Sequence, residues 1–399
     1  MTTQTLARSA QVAIPPLPLN PRVVGVAAAA ATLLATYLSQ AMGWRQGALF
    51  IVGLAAGGVL YHASFGFGGA WRNMIRDGRG AGLRAQVIML AVTAIVFIPL
   101  LAQGEIFGTS LRGNVSPLSI SLVAGAFLFG IGMQLGGACA SGTLYTVGGG
   151  SSRMVVTLIA FIAGSVLGAW HFDEWERAPN LGSVSLLTEL GIGGAMLSSL
   201  AIFAGVWGAA AWIEKRRHGS LEPSWRAASP RQWLRGPWPL LAGALGLALV
   251  NCATLMLAGR PWGITSGFAL WGSKVVAGLG VDVAAWPYWQ GSRTASLQVS
   301  VLEDITSIMN FGILLGALMA AGLAGKFAPV WRLPWRSLAA AVVGGLLLGY
   351  GARLAYGCNT GAFFSGVASA SLHGWVWFIA AYAGNAFGVR LRPIFKLDG

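Results

Sequence analysis

Charged side chains are scarce in this sequence. Lysine, arginine, aspartate and glutamate make up 10% of its 399 residues, whereas hydrophobic residues make up 55%. Because a soluble domain carries roughly 25% charged residues, this scarcity excludes an ordinary soluble protein. Several apolar runs reach the ~20 residues that cross a bilayer as a helix. The composition therefore predicts an all-α, polytopic membrane protein.

Acidic residues are scarcer than basic residues in this sequence. The sequence has 12 acidic residues against 26 lysines and arginines, for a net charge of +14. A positive chain can bind nucleic acid, but here the basic residues cluster at the ends of apolar segments, which is the positive-inside pattern. We therefore expect a lipid bilayer around the chain and no nucleic-acid partner.

Cysteine and histidine are also rare, with three cysteines and four histidines. Cys139, Cys252 and Cys358 show neither a zinc-type spacing nor a disulfide framework. The glycine-rich segments 66–69 and 148–150 lack the strand–turn–helix context of a nucleotide site. We predict no metal, no cofactor and no enzymatic activity.

The apolar residues fall into about ten long segments and four short ones. The long segments cover residues 23–42, 48–62, 83–101, 118–135, 154–170, 191–212, 240–257, 305–323, 338–356 and 373–389. The short segments cover residues 65–75, 139–148, 264–276 and 358–369. Each short segment starts near a glycine and cannot span a bilayer, which predicts re-entrant or broken helices that line a cavity.

An internal repeat links two of the short segments. A shift of 219 positions superposes Gly130 on Gly349, Cys139 on Cys358 and the residues between them on a similar turn. A repeat of this kind indicates two related structural units. Packing is the usual role of a lone membrane cysteine such as Cys252, but the repeat reproduces both the thiol and the turn.

The basic loops orient the segments. The loops before residue 83, after residue 212 and before residue 338 are rich in lysine and arginine, whereas residues 173–176 are acidic. The basic loops should face the cytoplasm, so both termini are cytoplasmic and the two repeats cross an inner membrane in opposite directions. The predicted divisions are a cytoplasmic tail at 1–21, a first transmembrane half at 22–213, a basic cytoplasmic linker at 214–237 and a second half at 238–399.

The chemistry of the two cysteine turns suits an anion. Cys139 and Cys358 each begin a short helix, whose first N–H groups lack helical partners and carry partial positive charge. Such a terminus binds anions and favours a thiolate. Inverted repeats place their site near the bilayer midplane. The neutral donors beside the two thiols are Ser141, Thr143, Asn359 and Thr360.

Arg353 lies five residues before Cys358, inside an apolar segment. Charge inside a membrane is costly and usually functional. Two roles remain open for Arg353, namely attraction of an anion and organisation of a structural hydrogen-bond network.

Several motifs resemble the YeeE/YedE family of sulfur-compound transporters, from about Leu60 onward. The most specific is residues 351–359, which are most similar to YedE-type members. Further similar segments are residues 362–366, 371–373, 136–142 and 262–266.

This resemblance implies an hourglass-shaped, channel-like transporter in which cysteines relay thiosulfate to a soluble TusA-like sulfurtransferase. Cys139 and Cys358 match two of the three pathway cysteines of the family, and Gly66 stands at the position of the third. The departure at Gly66 is compatible with a different ion or with a looser entrance. The three open hypotheses are a thiosulfate importer, a transporter of a reduced sulfur or selenium species, and a membrane scaffold or thiol-redox protein.

Overall fold

The computed structural model describes residues 18–225 and 227–397, and it is almost entirely helical. The predicted tail at 1–21 therefore lies outside the described residues up to position 17. The helices are α1 Pro21–Ala41, α2 Trp44–Ala63, α3 Phe67–Asp77, α4 Ala81–Gln103, α5 Ile120–Gly136, α6 Ala140–Gly148, α7 Ser152–Trp170, α8 Phe172–Glu176, α9 Leu186–His218, α10 Pro230–Arg235, α11 Leu240–Ala258, α12 Thr265–Gly278, α13 Thr294–Gln298, α14 Ile305–Ala324, α15 Trp335–Leu354, α16 Gly366–Ala368 and α17 Leu372–Leu391.

Non-α elements are short. Three-residue 3-10 turns cover Val283–Ala285, Pro287–Trp289 and Gly291–Arg293, a longer one covers Arg392–Phe395, and a π-helical turn covers Asn359–Ser365. The strands β1 Glu105–Ile106 and β2 Thr109–Ser110 form one antiparallel pair, and β3 Pro117–Ser119 and β4 Asn180–Ser183 form another.

The predicted fold class is confirmed. Among residues 18–225 and 227–397, nine helical segments are long and apolar enough to cross a membrane. The tenth predicted span corresponds to α17, which has 20 residues but is not among these nine segments. The largest difference is α9, which runs from residue 186 to residue 218 and is interrupted where Gly191 has a φ of +66°. The division into two halves and a linker stays a prediction.

All four short segments are short helical elements in the structure. They correspond to α3, α6, α12 and the π-helical turn that continues into α16. The last of them differs from the expected α-helix, because its first seven residues are wound as a π-helix. A π-helical turn of this kind is frequent at functional sites.

The two repeats pack through a reciprocal contact between α5 and α15. A side chain at Gly132 would lie 2.9 Å from the carbonyl oxygen of Gly344, and one at Gly351 would lie 2.5 Å from that of Gly125. Later residues of α5 thus contact earlier residues of α15, and the two helices are antiparallel. A two-fold axis perpendicular to both helices relates one to the other. This is the geometry of an inverted repeat, and the small residues permit the close approach.

Aromatic packing joins the re-entrant elements of the two repeats. The Trp71 ring of α3 lies 6.0 Å from the Phe363 ring of the π-helical turn, and Phe363 stacks on Trp377 of α17. The indole nitrogen of Trp71 donates to Gln86 at 2.9 Å. These contacts hold α3 and the π-helical turn against each other in the core.

A buried ion pair anchors α9 to the first repeat. Arg84 and Glu214 bond directly, and Glu214 also accepts from the backbone N–H groups of Gly80 at 3.2 Å and Glu222 at 3.0 Å. The Glu214 side chain is fully buried. Arg84, near the start of α4, is thus part of this core network.

Candidate functional site

Cys139 and Cys358 occupy equivalent places in the two repeats. Each has an extended backbone, lies immediately before a short helical element, and is buried, with exposures of 2% and 1%. The carbonyl oxygen of Cys139 accepts from the Thr143 N–H at 2.8 Å, and that of Cys358 accepts from the Ala362 N–H at 2.8 Å. The sequence repeat is therefore a structural repeat at the level of single hydrogen bonds.

Polar groups face both thiols. The Cys358 sulfur lies against the backbone N–H groups of Thr360 and Gly361 and the Thr360 hydroxyl. The Cys139 sulfur lies 3.4 Å from the Ser141 hydroxyl. The Thr143 hydroxyl donates instead to the Cys139 carbonyl at 2.9 Å, so it stabilises the turn rather than facing a guest.

The Asn359 side chain stands out among the predicted site residues because its hydrogen-bonding groups are unpaired among the described residues. It is fully buried, and neither its Oδ1 nor its Nδ2 has a hydrogen-bond partner among the described residues. A buried amide without partners costs several kcal/mol of desolvation in an apolar surrounding. Beside Cys358, such an amide provides both a donor and an acceptor for a polar guest.

A cavity of about 330 Å³ lies next to the Cys358 turn. We call it the arginine vestibule, after Arg112, Arg260, Arg293 and Arg353 in its wall. Gly357 and Gly361, on either side of the Cys358 thiol, also line it, and none of its described lining residues is acidic. The cavity therefore favours an anion close to the thiol.

Arg353 takes part in a structural hydrogen bond and also lines the arginine vestibule. Its Nη1 donates to the Tyr288 hydroxyl at 2.6 Å, while its Nε has no partner in the described part of the chain. The residue is 6% exposed and lines the arginine vestibule. One side of the guanidinium is thus held by the protein, and another N–H group is available to a guest.

Three arginines of this vestibule were not among the predicted site residues. Arg112 and Arg260 lie in two separate loops, and Arg293 ends the 3-10 turn Gly291–Arg293. Arg293 lies 4.6 Å from the Tyr288 ring centre, and Arg260 donates to Thr306 at 3.2 Å. A sequence signal existed, because the predicted orientation puts these segments on the outer side, where the positive-inside rule predicts few basic residues.

A second cavity, of about 350 Å³, lies next to the Cys139 turn. We call it the glycine vestibule, after Gly66, Gly68, Gly69 and Gly142 in its wall. The wall also contains Cys139, Tyr145, two arginines and one acidic residue, namely Arg72, Arg79 and Glu222.

Gly66 has an ordinary backbone in this wall, with φ −123° and ψ 127°. A side chain there would first meet the Tyr145 hydroxyl at 3.8 Å. Neither conformation nor space requires glycine at this position.

The two vestibules lie at opposite ends of the membrane-spanning helices. Helix α11 begins at Leu240, which lines the glycine vestibule, and is followed by Arg260, which lines the arginine vestibule. Cys139 lines the glycine vestibule, the neighbours of Cys358 line the arginine vestibule, and the two thiols lie within electrostatic range of each other. Each cysteine turn thus lies beside a different cavity.

Cys252 lies outside this arrangement. It packs in an apolar cluster with Phe97, Leu111, Leu255 and Ala368 and lines neither vestibule. Its expected role as a packing residue agrees with this position.

Comparison with known proteins gives one family and several relatives. The Sulphur transport family matches residues 62–387. The "Thiosulfate transporter TsuA" of Spirochaeta thermophila is 29% identical over 349 residues, covering 84% of this chain and 95% of that protein. The "Probable transporter YedE" of Escherichia coli is 34% identical over 170 residues, and that of Salmonella typhimurium is 33% identical over 170 residues.

Each YedE match covers 41% of this chain and 41% of the relative. The family match, in contrast, covers most of this chain, including both cysteine turns and Gly66. It confirms the resemblance expected from the glycine-cysteine motifs. The chain belongs to the Sulphur transport family.

Proposed function

We propose that this protein transports thiosulfate, or a similar small sulfur-containing anion, through a constriction formed by the Cys139 and Cys358 turns. The observation that carries the proposal is a pair of vestibules at opposite ends of the spanning helices, with one thiol turn beside each and four arginines in the wall of one of them. A relative named as a thiosulfate transporter aligns over 95% of its own length. Membership of a transport family favours a transporter over an enzyme.

The constriction suits a guest that must be bound and then released. A small anion in the arginine vestibule would meet the Arg353 guanidinium, then the Asn359 amide and the Cys358 thiol. A thiol is a weak hydrogen-bond donor and acceptor, so it holds a polarizable sulfur anion without a deep energy well. Conduction requires binding that is weak enough to allow exit.

The proposed direction is import across a bacterial inner membrane. The basic loop after α9 supports a cytoplasmic position for the glycine vestibule and for both termini. The arginine vestibule then faces outward, where four arginines raise the local concentration of a dilute anion. On the inner side, we propose that a TusA-like sulfurtransferase receives the sulfur.

Uptake of radiolabelled thiosulfate into proteoliposomes tests this function. We expect uptake above that of empty vesicles, and large losses in Cys139→Ala and Cys358→Ala at equal protein levels. Cys252→Ala is the matched control, because it removes a buried thiol that lines neither vestibule. Normal uptake by both pathway variants contradicts the thiol route.

Two further measurements separate the remaining hypotheses. Stronger competition by selenite, sulfite or sulfide than by unlabelled thiosulfate would assign a different sulfur or selenium substrate. A persulfide or disulfide on Cys139 or Cys358, detected by mass spectrometry in a protein that supports no flux, would assign a thiol-redox role.

A further inference from the structure

The side chain of Tyr145 lines two cavities at once. Tyr145 lies in the middle of α6, six residues after Cys139, and is partly buried. It belongs to the wall of the glycine vestibule and also to the wall of a neighbouring cavity of about 510 Å³, which the loop after α14 helps to form. A guest that leaves Cys139 for the glycine vestibule therefore meets the wall that contains Tyr145.

The Tyr145 ring and the Cys139 thiol face the same small space. A side chain at Gly142 would lie 3.5 Å from the Cys139 sulfur and 4.0 Å from Cε1 of the Tyr145 ring. Tyr145 and Cys139 also lie within electrostatic range of each other. Because glycine at position 142 leaves this space open, one small guest can contact both side chains.

The phenol oxygen of Tyr145 faces the loop that holds Gly66. The first atom that a side chain at Gly66 would meet is this oxygen, at 3.8 Å. Gly66 and Tyr145 thus border one open space from two different elements, namely the start of α3 and the middle of α6. A hydrogen-bonding group can be supplied to this space from either element.

Ring packing, rather than the hydroxyl, positions Tyr145. The ring packs edge-on against the Tyr61 ring, with the two centroids 6.5 Å apart. The polar neighbour of the phenol is the Thr146 hydroxyl, which itself donates to the Gly142 carbonyl at 2.6 Å. A phenol hydroxyl both donates and accepts, and its hydrogen rotates to suit a partner. The Tyr145 O–H group can therefore turn toward a guest while the ring stays in place.

The charge of the glycine vestibule favours a neutral donor at this point. Two arginines and one glutamate line the wall, whereas the described lining of the arginine vestibule has four arginines and no acidic residue. One of the two, Arg79, also lies 3.7 Å from the buried Glu214. A hydroxyl binds an anionic oxygen through a short O–H···O⁻ bond. Since an exit site must bind weakly enough to release its guest, a neutral hydroxyl suits it better than another cation.

We propose that the Tyr145 hydroxyl contacts the substrate and determines specificity, donating a hydrogen bond to an oxygen of the transported anion as the anion leaves Cys139. A thiol is only a weak donor, so the phenol provides a contact that Cys139 does not. The contact selects sulfur oxyanions over sulfide, which carries no oxygen. This inference rests on the proposed function, and it assigns the substrate class at one residue of the route.

Initial rates of thiosulfate uptake into proteoliposomes test this role with Tyr145→Phe. We expect the KM to rise about tenfold, the effect of losing one hydrogen bond to a charged group. The melting temperature should stay at the wild-type value, because the ring packing and the Thr146 bond remain. Unlabelled sulfite should compete with thiosulfate more strongly than sulfide does in the wild type, and Tyr145→Phe should reduce that preference.

Tyr61→Phe is the matched control, because it removes a hydroxyl from the adjoining ring, which does not line the glycine vestibule. It should transport as the wild type does. Adding Gly66→Cys to Tyr145→Phe should bring the KM back toward the wild-type value, since the new thiol enters the same space from the start of α3. A phenol that served the fold alone would not be replaced in this way.

The possible results separate this inference from the proposed function. Wild-type uptake that Tyr145→Phe retains, an equal loss in Tyr61→Phe, or a loss that Gly66→Cys does not relieve would overturn the role of Tyr145 alone. Absence of uptake by the wild-type protein would overturn the proposed function and this inference together.

Discussion

Arg353 and Tyr288 are joined by a 2.6 Å hydrogen bond from the guanidinium Nη1 to the phenol oxygen. The bond links the last turn of α15 to the 3-10 turn Pro287–Trp289, 65 positions away in sequence. It directs a buried charge into the arginine vestibule and leaves its Nε unbonded among the described residues. The outer cavity thus has an oriented cation next to the Cys358 turn.

Removing this bond should weaken substrate binding more than folding. Tyr288→Phe keeps the ring near Arg293 but loses the hydroxyl, and we expect the KM for anion uptake to rise about fivefold. Arg353→Gln also removes the charge, so kcat/KM should fall at least about tenfold. Initial uptake rates into proteoliposomes measure both effects. The exposed Arg332→Gln is the charge control, and an equal loss there would show that Arg353 has no specific role.

A third thiol should fit at Gly66. Its backbone is extended, and the nearest atom to an added side chain is the Tyr145 hydroxyl at 3.8 Å. We expect Gly66→Cys to fold with wild-type stability and to react with a membrane-impermeant maleimide added on the cytoplasmic side.

Gly130→Cys is the contrasting variant, because its side chain would clash with the Ala381 carbonyl of α17. Overpacking of this kind should cost about 2 kcal/mol. Thermal melting of the two purified variants measures the difference. Equal melting temperatures would contradict the assignment of Gly130 to a close helix contact.

Asn359 should show opposite effects on stability and on activity. Asn359→Leu replaces a buried amide that has no described partner with an apolar side chain that has the same branching and the same number of heavy atoms, so the melting temperature should hold or rise. Uptake should fall about tenfold, because a guest loses a hydrogen-bonding group in a buried site. Melting and uptake are measured on the same preparation. A lower melting temperature would indicate that the amide supports the fold rather than the guest.

The Arg84–Glu214 pair should be needed for stability. Glu214→Gln leaves Arg84 buried without its charge partner, and breaking a buried pair costs about 3–5 kcal/mol. Glu189→Gln, at an exposed position near the start of the same helix, is the control and should have little effect. Denaturation monitored in detergent distinguishes the two variants. A stable Glu214→Gln protein would show that backbone bonds alone hold the loop after α9.

Local pattern was sufficient to predict much of this fold. Apolar run length depends on neighbouring residues only, so the spans and the short helices followed directly from it. Cys139 and Cys358 were recognised as a pair because the repeat preserves the turn around each thiol. The π-helical winding of the second turn was not predicted, and the contacts of its Phe363 with α3 and α17 are long-range contacts that local spacing does not encode.

The sequence by itself determined the membrane class, the family, the inverted repeat and the two cysteine turns, because each is written in composition or in local spacing. Only the tertiary structure decided which charged side chains lie close to one another. Arg112, Arg260 and Arg293 come to the same cavity as Arg353 from separate loops, and Arg84 finds Glu214 across 130 positions. Such convergence depends on how whole helices pack, and long-range packing leaves no periodic signal along the chain.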